Sequence, residues 1–383
     1  MPYRCVNNPV YDGRQPRAVL VAALVSAVAL AGCSNKTPER ADSMSSAGTL
    51  ADPNDMTSPR GPAAANTEMQ SVLDQLGSMG GKPMASLTPA EARKQPTPAA
   101  AVAMVMAKAG KDTMPMAVVP GITSVDRTIP GAAGAMPARI YTPSGPGPFA
   151  VVVYYHGGGW VIADKNVYDG GARSIAKEAN AVVVSVDYRL APEHKFPAQH
   201  DDALAAYAWV VKNVSSINGD PNKIAIAGES AGGNLAVATA IAARDAKMPM
   251  PKAVIAVYPI AQPDTMTASY VENANAKPLN RAMMGWFARH VSRTPADLQD
   301  PRINLVKANL SGLPPVTIIN AQIDPLREDG AMLEQALKAA DVPVERRVYE
   351  GVTHEFFGMG AVVAKAMDAT QYAGARLKAA FGK

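Results

Sequence analysis

Cysteine is almost missing from this chain. Among 383 residues there are two, Cys5 and Cys33. That excludes a cysteine-built metal site and any disulfide framework. Charge is sparse too: 18% of residues are charged, and the formal net charge is only +4. No run of Lys and Arg forms a basic arm, so nucleic acid is excluded as a partner. No apolar run is long enough to cross a bilayer comfortably; the stretch Ala18–Ala31 is uncharged but too short. What is plentiful is apolar residue, at 48%. A chain of this length and content can bury one large core or two modest ones.

The stretch Ala18–Ala31 follows Arg14 and Arg17 and has the length of a signal-peptide core. It ends in Leu30-Ala31-Gly32-Cys33, small residues of the kind that signal peptidases accept. A Cys in that position resembles the lipobox of bacterial lipoproteins. The resemblance implies a signal peptide over residues 1–32 and acylation of Cys33, with several acyl chains giving a stable anchor. An ordinary signal peptide whose cleavage site contains Cys fits the same pattern. Removing residues 1–32 takes away Arg4, Arg14, Arg17 and Asp12, which lowers the charge from +4 to about +2. Cys5 leaves with them, and Cys33 remains as the one thiol.

Residues 33–67 are rich in Ser, Pro, Asn, Ala and Thr without apolar period, and read as a flexible tether. Helical signals fill residues 68–115. Met69–Leu76 has apolar residues at helical spacing, Thr88-Pro89-Ala90-Glu91 is a capping-box start, and Thr97-Pro98 opens a helix through Lys108. From Ile122 onward strands and helices alternate. Extended segments are expected at Ile122–Ile129, Ala138–Thr142, Ala150–Tyr155, Ala181–Asp187, Lys223–Ala227, Ala253–Tyr258, Val316–Gln322 and Val344–Tyr349. Runs such as Val151-Val152-Val153 suit strands covered on both faces of a parallel sheet. Helices are expected at Asp169–Glu178, Asp201–Val214, Ala231–Arg244, Gly330–Ala340 and Val362–Ala380. The alternation predicts an α/β sandwich with crossover connections. Residues 262–304 break it and read as an insertion within a domain spanning 116–383.

The chemistry sits at the strand ends. Gly228-Glu229-Ser230-Ala231-Gly232 follows a strand and opens a helix, the context of a nucleophile elbow. Small neighbours let the backbone turn sharply and present the Ser230 hydroxyl, and a helix N-terminus favours developing negative charge. Upstream, His156-Gly157-Gly158-Gly159-Trp160 leaves a row of N–H groups that can converge on an oxyanion. It lacks the Lys-Ser/Thr ending of a phosphate loop. The N–H of Ala231, the residue after Ser230, would complete the hole. An acid and a base then follow in the order such a fold requires: Asp324 after one strand, His354 after the next. Asp329 and Asp341 compete with Asp324 but fall within or at the end of the following helix. His156, His194, His200 and His290 lie elsewhere.

Together with Asp187-Tyr188-Arg189-Leu190-Ala191-Pro192-Glu193, Asp324-Pro325-Leu326 and His354-Glu355-Phe356, these motifs resemble bacterial hormone-sensitive-lipase-like carboxylesterases of the α/β-hydrolase superfamily. The likeness covers roughly residue 68 to the end. It implies a mostly parallel eight-stranded sheet sandwiched by helices. It implies Ser230, Asp324 and His354 as triad, and the amides of Gly157, Gly158 and Ala231 as oxyanion hole. Residues 68–115 and 262–304 would fold together as a helical cap. Glu229 departs from the Asp or Thr usual before the serine. The Asp187–Glu193 run is expected to brace the oxyanion loop through Arg and Glu contacts. Met104/Met106, Met114/Met116 and Met248/Met250 read as adaptable cap packing in preference to a copper site.

The expected activity is hydrolysis of small carboxylic esters, with short to medium acyl chains, through an acyl-enzyme and without metal or organic cofactor. A non-catalytic ligand-binding protein on the same scaffold, and an acyltransferase with the same triad, are the alternatives. Ser34 follows Cys33 where an inner-membrane retention Asp would stand, so the lipoprotein likeness implies an outer-membrane anchor on the periplasmic or surface side. Nothing in the residues addresses oligomeric state.

Overall fold

The computed structural model describes residues 63–382. The expected signal peptide, Cys33 and nearly all of the expected tether lie outside the described residues.

Four helices precede the sheet: α1 (Thr67–Ser78), α2 (Pro89–Ala92), α3 (Pro98–Lys108) and α4 (Pro115–Val118). Their starts follow local chemistry. Asn66 caps α1 by accepting from the Met69 N–H at 2.8 Å. Thr88 and Glu91 form the expected capping box on α2, and Thr97 caps α3 ahead of Pro98.

Eight strands then form one sheet: β1 (Ile122–Gly131), β2 (Gly134–Pro143), β3 (Phe149–Tyr155), β4 (Ala181–Val186), β5 (Gly219–Glu229), β6 (Val254–Val257), β7 (Val316–Ile323) and β8 (Val344–Thr353). Their order is β1-β2-β4-β3-β5-β6-β7-β8. The β1–β2 and β2–β4 pairs are antiparallel and the remaining pairs parallel. Helices α5 (Asp169–Ala179), α6 (Ala198–Asn213), α7 (Ala231–Asp245), α10 (Arg327–Ala339) and α11 (Ala364–Ala380) flank it. The insertion supplies α8 (Ala268–Glu272) and α9 (Arg281–Val291). Two helices start earlier than the residue pattern suggests. α6 begins behind Pro197, and α10 begins at Arg327, directly after the Asp324 turn.

Period-two alternation divides the core between the two sheet faces. On β3, Val151, Val153 and Tyr155 point into the cluster under α6 and α7. Ala150, Val152 and Tyr154 point into the cluster under α5 and α11. The valines of β3 and β4 are all fully buried, and each such side chain contributes roughly 1.5–3 kcal/mol. That doubly covered centre fixes the carboxyl ends of β3, β5 and β6 side by side. Gly228 pairs with Tyr155 on one flank and Ala256 on the other.

The insertion is rooted at two points. The side-chain amide of Asn234, in the first turn of α7, donates to the carbonyls of Ile260 and Ile303, each at 2.9 Å. Asp329, buried in the first turn of α10, accepts from the Ala261 N–H at 3.0 Å and from Gln262 Nε2 at 2.7 Å. Its carboxyl is thus engaged in structure, away from His354. Burial pushes its pKa up to about 8 against those hydrogen bonds.

Candidate active site

Ser230 stands between the last residue of β5 and the first of α7, at φ 57° and ψ −116°. Such backbone costs of order 1–3 kcal/mol for a non-glycine residue and persists only where its surroundings over-determine it. They do so here. The Ser230 N–H donates to the Val257 carbonyl at 2.8 Å. A Cβ on Gly232 would lie 2.0 Å from the Tyr155 carbonyl oxygen, and one on Gly228 would lie 2.1 Å from that of Gly232. The turn can pack against the end of β3 only with glycine at both positions.

The structure brings Ser230, Asp324 and His354 together from three strand ends. His354 Nδ1 is 2.7 Å from Asp324 Oδ2, and His354 Nε2 is 3.0 Å from Ser230 Oγ. The carboxylate can only accept, so Nδ1 carries the hydrogen and Nε2 is left to accept from the serine hydroxyl. All three residues are buried, Asp324 completely. The other Asp324 oxygen accepts from the Leu326 N–H at 2.8 Å. Burial lowers the His354 pKa, but the charge and hydrogen bond of Asp324, with Glu355 and Glu229 behind them, outweigh it and leave the imidazole above its ordinary value.

The His156–Trp160 loop lies beside the serine. Gly158 and Gly159 have φ of 92° and 58°. A Cβ on Gly157 would meet the Tyr168 hydroxyl at 2.3 Å, and one on Gly159 would meet the ring of Phe287 in α9 at 2.3 Å. The N–H of Ala231 opens α7, where first-turn N–H groups have no acceptor within the helix. Gly157 and Gly158 thus come from the glycine loop and Ala231 from the start of α7, directly after Ser230.

The loop is braced differently from the expectation for Asp187–Glu193. Tyr188 does it: its hydroxyl donates to the carbonyls of His156 and Gly157 at 2.8 and 3.3 Å, and its ring stacks on His156 at 4.2 Å. Arg189 instead pairs with Asp202, and Glu193 pairs with Arg93. Arg93 also reaches the carbonyls of Val161 and Ala191. Arg189 and Glu193 thus tie the loop's surroundings to α6 and to the segment after α2. Segment 68–115 also meets the insertion, since Trp286 Nε1 donates to the Leu87 carbonyl at 2.9 Å.

Contacts that the motifs do not announce surround this constellation. Glu229 is fully buried, with one carboxyl oxygen bonded by the Tyr154 hydroxyl and the other by the Tyr258 hydroxyl. Burial and the nearby Glu355 charge push its pKa up to about 8, against the pull of those two hydroxyls. Glu355 accepts from the Tyr168 hydroxyl at 2.7 Å. Beside them is a cavity of about 230 Å³ whose walls include Val102, Met106, Val119, Tyr168, Glu229 and Glu355. Met106 is buried there, while Met104, Met114 and Met116 are exposed. The alternation of β3, which sends Tyr154 to the α5 face, was the one available signal for any of these contacts.

An open, mostly parallel sheet with a strained serine elbow at its centre and a histidine and aspartate at later strand ends defines a hydrolase scaffold. The profile of the α/β hydrolase fold family matches residues 152–358, and the chain belongs to that family. It is 41% identical over 254 residues to the carboxylesterase NlhH of Mycobacterium tuberculosis, covering 64% of this chain and 78% of that protein. It is 32% identical over 237 residues to the ethyl acetate hydrolase of Pseudomonas putida, covering 60% and 74%. Among solved structures, an esterase of Pyrobaculum calidifontis superposes with a TM-score of 0.72 at 36% identity, over 79% of this chain and 97% of that one. The protein is an ester hydrolase of the carboxylesterase class.

Proposed function

We propose that Ser230, His354 and Asp324 are the triad with which this enzyme cleaves small carboxylic esters of short to medium acyl chain. The observation that carries the reading is the single hydrogen-bonded line from Asp324 through His354 to Ser230, at 2.7 and 3.0 Å. Ser230 Oγ attacks the ester carbonyl as its proton passes to His354 Nε2. The carbonyl oxygen becomes an oxyanion, held by the N–H groups of Gly157, Gly158 and Ala231. Asp324 keeps the imidazole in the required tautomer and stabilises its cation. His354 then returns the proton to the leaving alkoxide, giving the alcohol and an acyl-Ser230. Water, activated by the same histidine, releases the acid and restores the hydroxyl.

One observation supports the substrate class: a relative 32% identical to this chain is named for hydrolysis of ethyl acetate. Segments 68–115 and 262–304 form the cap, a role supported by the Trp286–Leu87 hydrogen bond and the seat of Phe287 on Gly159. The catalytic domain is tethered through residues 33–67 to an acylated Cys33 at the outer membrane, on the periplasmic or surface side. That part rests on Leu30-Ala31-Gly32-Cys33-Ser34.

Purified protein should hydrolyse p-nitrophenyl acetate and butyrate, and Ser230→Ala should lower kcat by at least about 10³-fold. Unchanged turnover in that variant would remove the assignment. Mass spectrometry of the mature N-terminus should find acylated Cys33; an unmodified terminus elsewhere would refute the anchor.

A further inference from the structure

The proposed mechanism uses one carboxylate at His354, and the structure supplies a second. Glu355 Oε1 lies 3.8 Å from His354 Nε2, on the side of the ring opposite Asp324. That separation is too long for a hydrogen bond and short enough for strong charge interaction. The Glu355 side chain is held in this position from two directions. Its backbone sits at φ 72°, in the left-handed region that glycine occupies at lower cost. Its carboxylate accepts from the Tyr168 hydroxyl at 2.7 Å, and Tyr168 is the residue that also closes against Gly157 of the glycine loop. One hydroxyl therefore links the histidine loop to the glycine loop.

We infer that Glu355 is a positioning residue: its carboxylate stabilises the His354 imidazolium that forms when Ser230 gives up its proton. The inference rests on the triad reading above. The charged and titratable groups around the pair are few among the described residues. Asp324 faces Nδ1 from the end of β7. Glu229, at the end of β5, is bonded by Tyr154 on β3 and by Tyr258 after β6, and the Tyr258 ring is 4.3 Å from that of His354. Tyr168 faces Glu355 from the start of α5. Asp169 and Arg173 on the same helix line the neighbouring cavity, but they are paired with each other at 2.9 Å.

Two buried carboxyl groups in the wall of one cavity do not both ionise readily. Glu229 is the more enclosed, and its pKa near 8 leaves it largely protonated at neutral pH. Glu355, partly open to the cavity, is also raised, by burial first and by the Asp324 charge, with His354 and the Tyr168 hydroxyl opposing that rise. Of the two, Glu355 is the one with a carboxyl oxygen 3.8 Å from His354 Nε2, where a negative charge acts directly on the imidazolium. Removing it should make the imidazole less basic.

The test is the pH dependence of kcat/KM for p-nitrophenyl acetate, from about pH 5 to about pH 9, whose acid limb reports the free-enzyme base. Glu355→Gln keeps the shape and removes the charge. Its acid limb should move about one unit towards lower pH. The plateau of kcat should fall about ten-fold with KM changed less than about two-fold, the signature of an interaction made in the transition state. Glu355→Gly removes the carboxylate while suiting the local backbone, so it should fold at least as well as wild type and show the same limb shift. An acid limb that stays at the wild-type position in Glu355→Gln, or in Glu355→Gly where the former is insoluble, overturns the inference. A merely structural role would lower activity without moving the limb. If Ser230→Ala is inactive and the limb is unmoved, only Glu355 loses its role. If Ser230→Ala keeps wild-type turnover, the triad reading fails and this inference with it.

Discussion

Glu229 stands next to Ser230 in sequence yet turns away from it, into a pocket made by two tyrosine hydroxyls. A carboxyl whose pKa is raised in the fold binds a proton that the unfolded chain has already released. Between the ordinary Glu value and about pH 8 its contribution to stability therefore falls as pH rises, and above that window it is constant. Glu229→Gln stays neutral throughout. Thermal unfolding across about pH 5 to about pH 9 should show the Tm of this variant rising relative to wild type through the window; parallel curves would contradict it. For the proposed triad, Asp324→Asn should keep the fold and lower kcat by about 10⁴-fold, because an amide permits the wrong imidazole tautomer. Steady-state kinetics checks this. Ser230, Asp324 and His354 were legible because strand ends and chain order constrain them. The Tyr168–Glu355 bond was not, because the two meet across 187 positions and the motif that holds Glu355 says nothing of its partner.

Among elements, the strands were the most legible, since their apolar runs serve a sheet covered on both sides. The helix starts at Ala198 and Arg327 were less so, because they are set by a proline turn and by the Asp324 turn, where amphipathic spacing is uninformative. Close helix contacts were not legible at all. Gly374 of α11 lies so near α5 that an added Cβ would be 2.6 Å from the backbone carbonyl carbon of Glu178 and 2.5 Å from its Cβ. Backbone on the far side cannot rotate away as a side chain can. Gly374→Ala should thus lower stability by about 1–3 kcal/mol through overpacking, despite the gain in helix propensity. Urea denaturation would measure it, and a more stable variant would show that the two helices separate freely.

For the whole molecule, the described residues 63–382 contain the sheet, both parts of the proposed cap and every residue assigned to the chemistry. If residues 33–67 act as a tether, a chain beginning at residue 63 should hydrolyse p-nitrophenyl butyrate with kcat/KM within about two-fold of the full mature protein. A larger loss would give that segment a part in the reaction. Beginning later than this is expected to harm the fold, since Asn66 bonds Gly351 as well as capping α1. Asn234 has a different consequence. One amide, a turn beyond Ser230, clasps both ends of the insertion by their backbone carbonyls, Ile260 and Ile303. Backbone is common to every sequence, so the clasp is indifferent to what lies between its two ends. A segment exchanged between those carbonyls would keep the clasp, but to leave the chemical centre in place it would also have to supply what Phe287 gives to Gly159 and what Gln262 gives to Asp329.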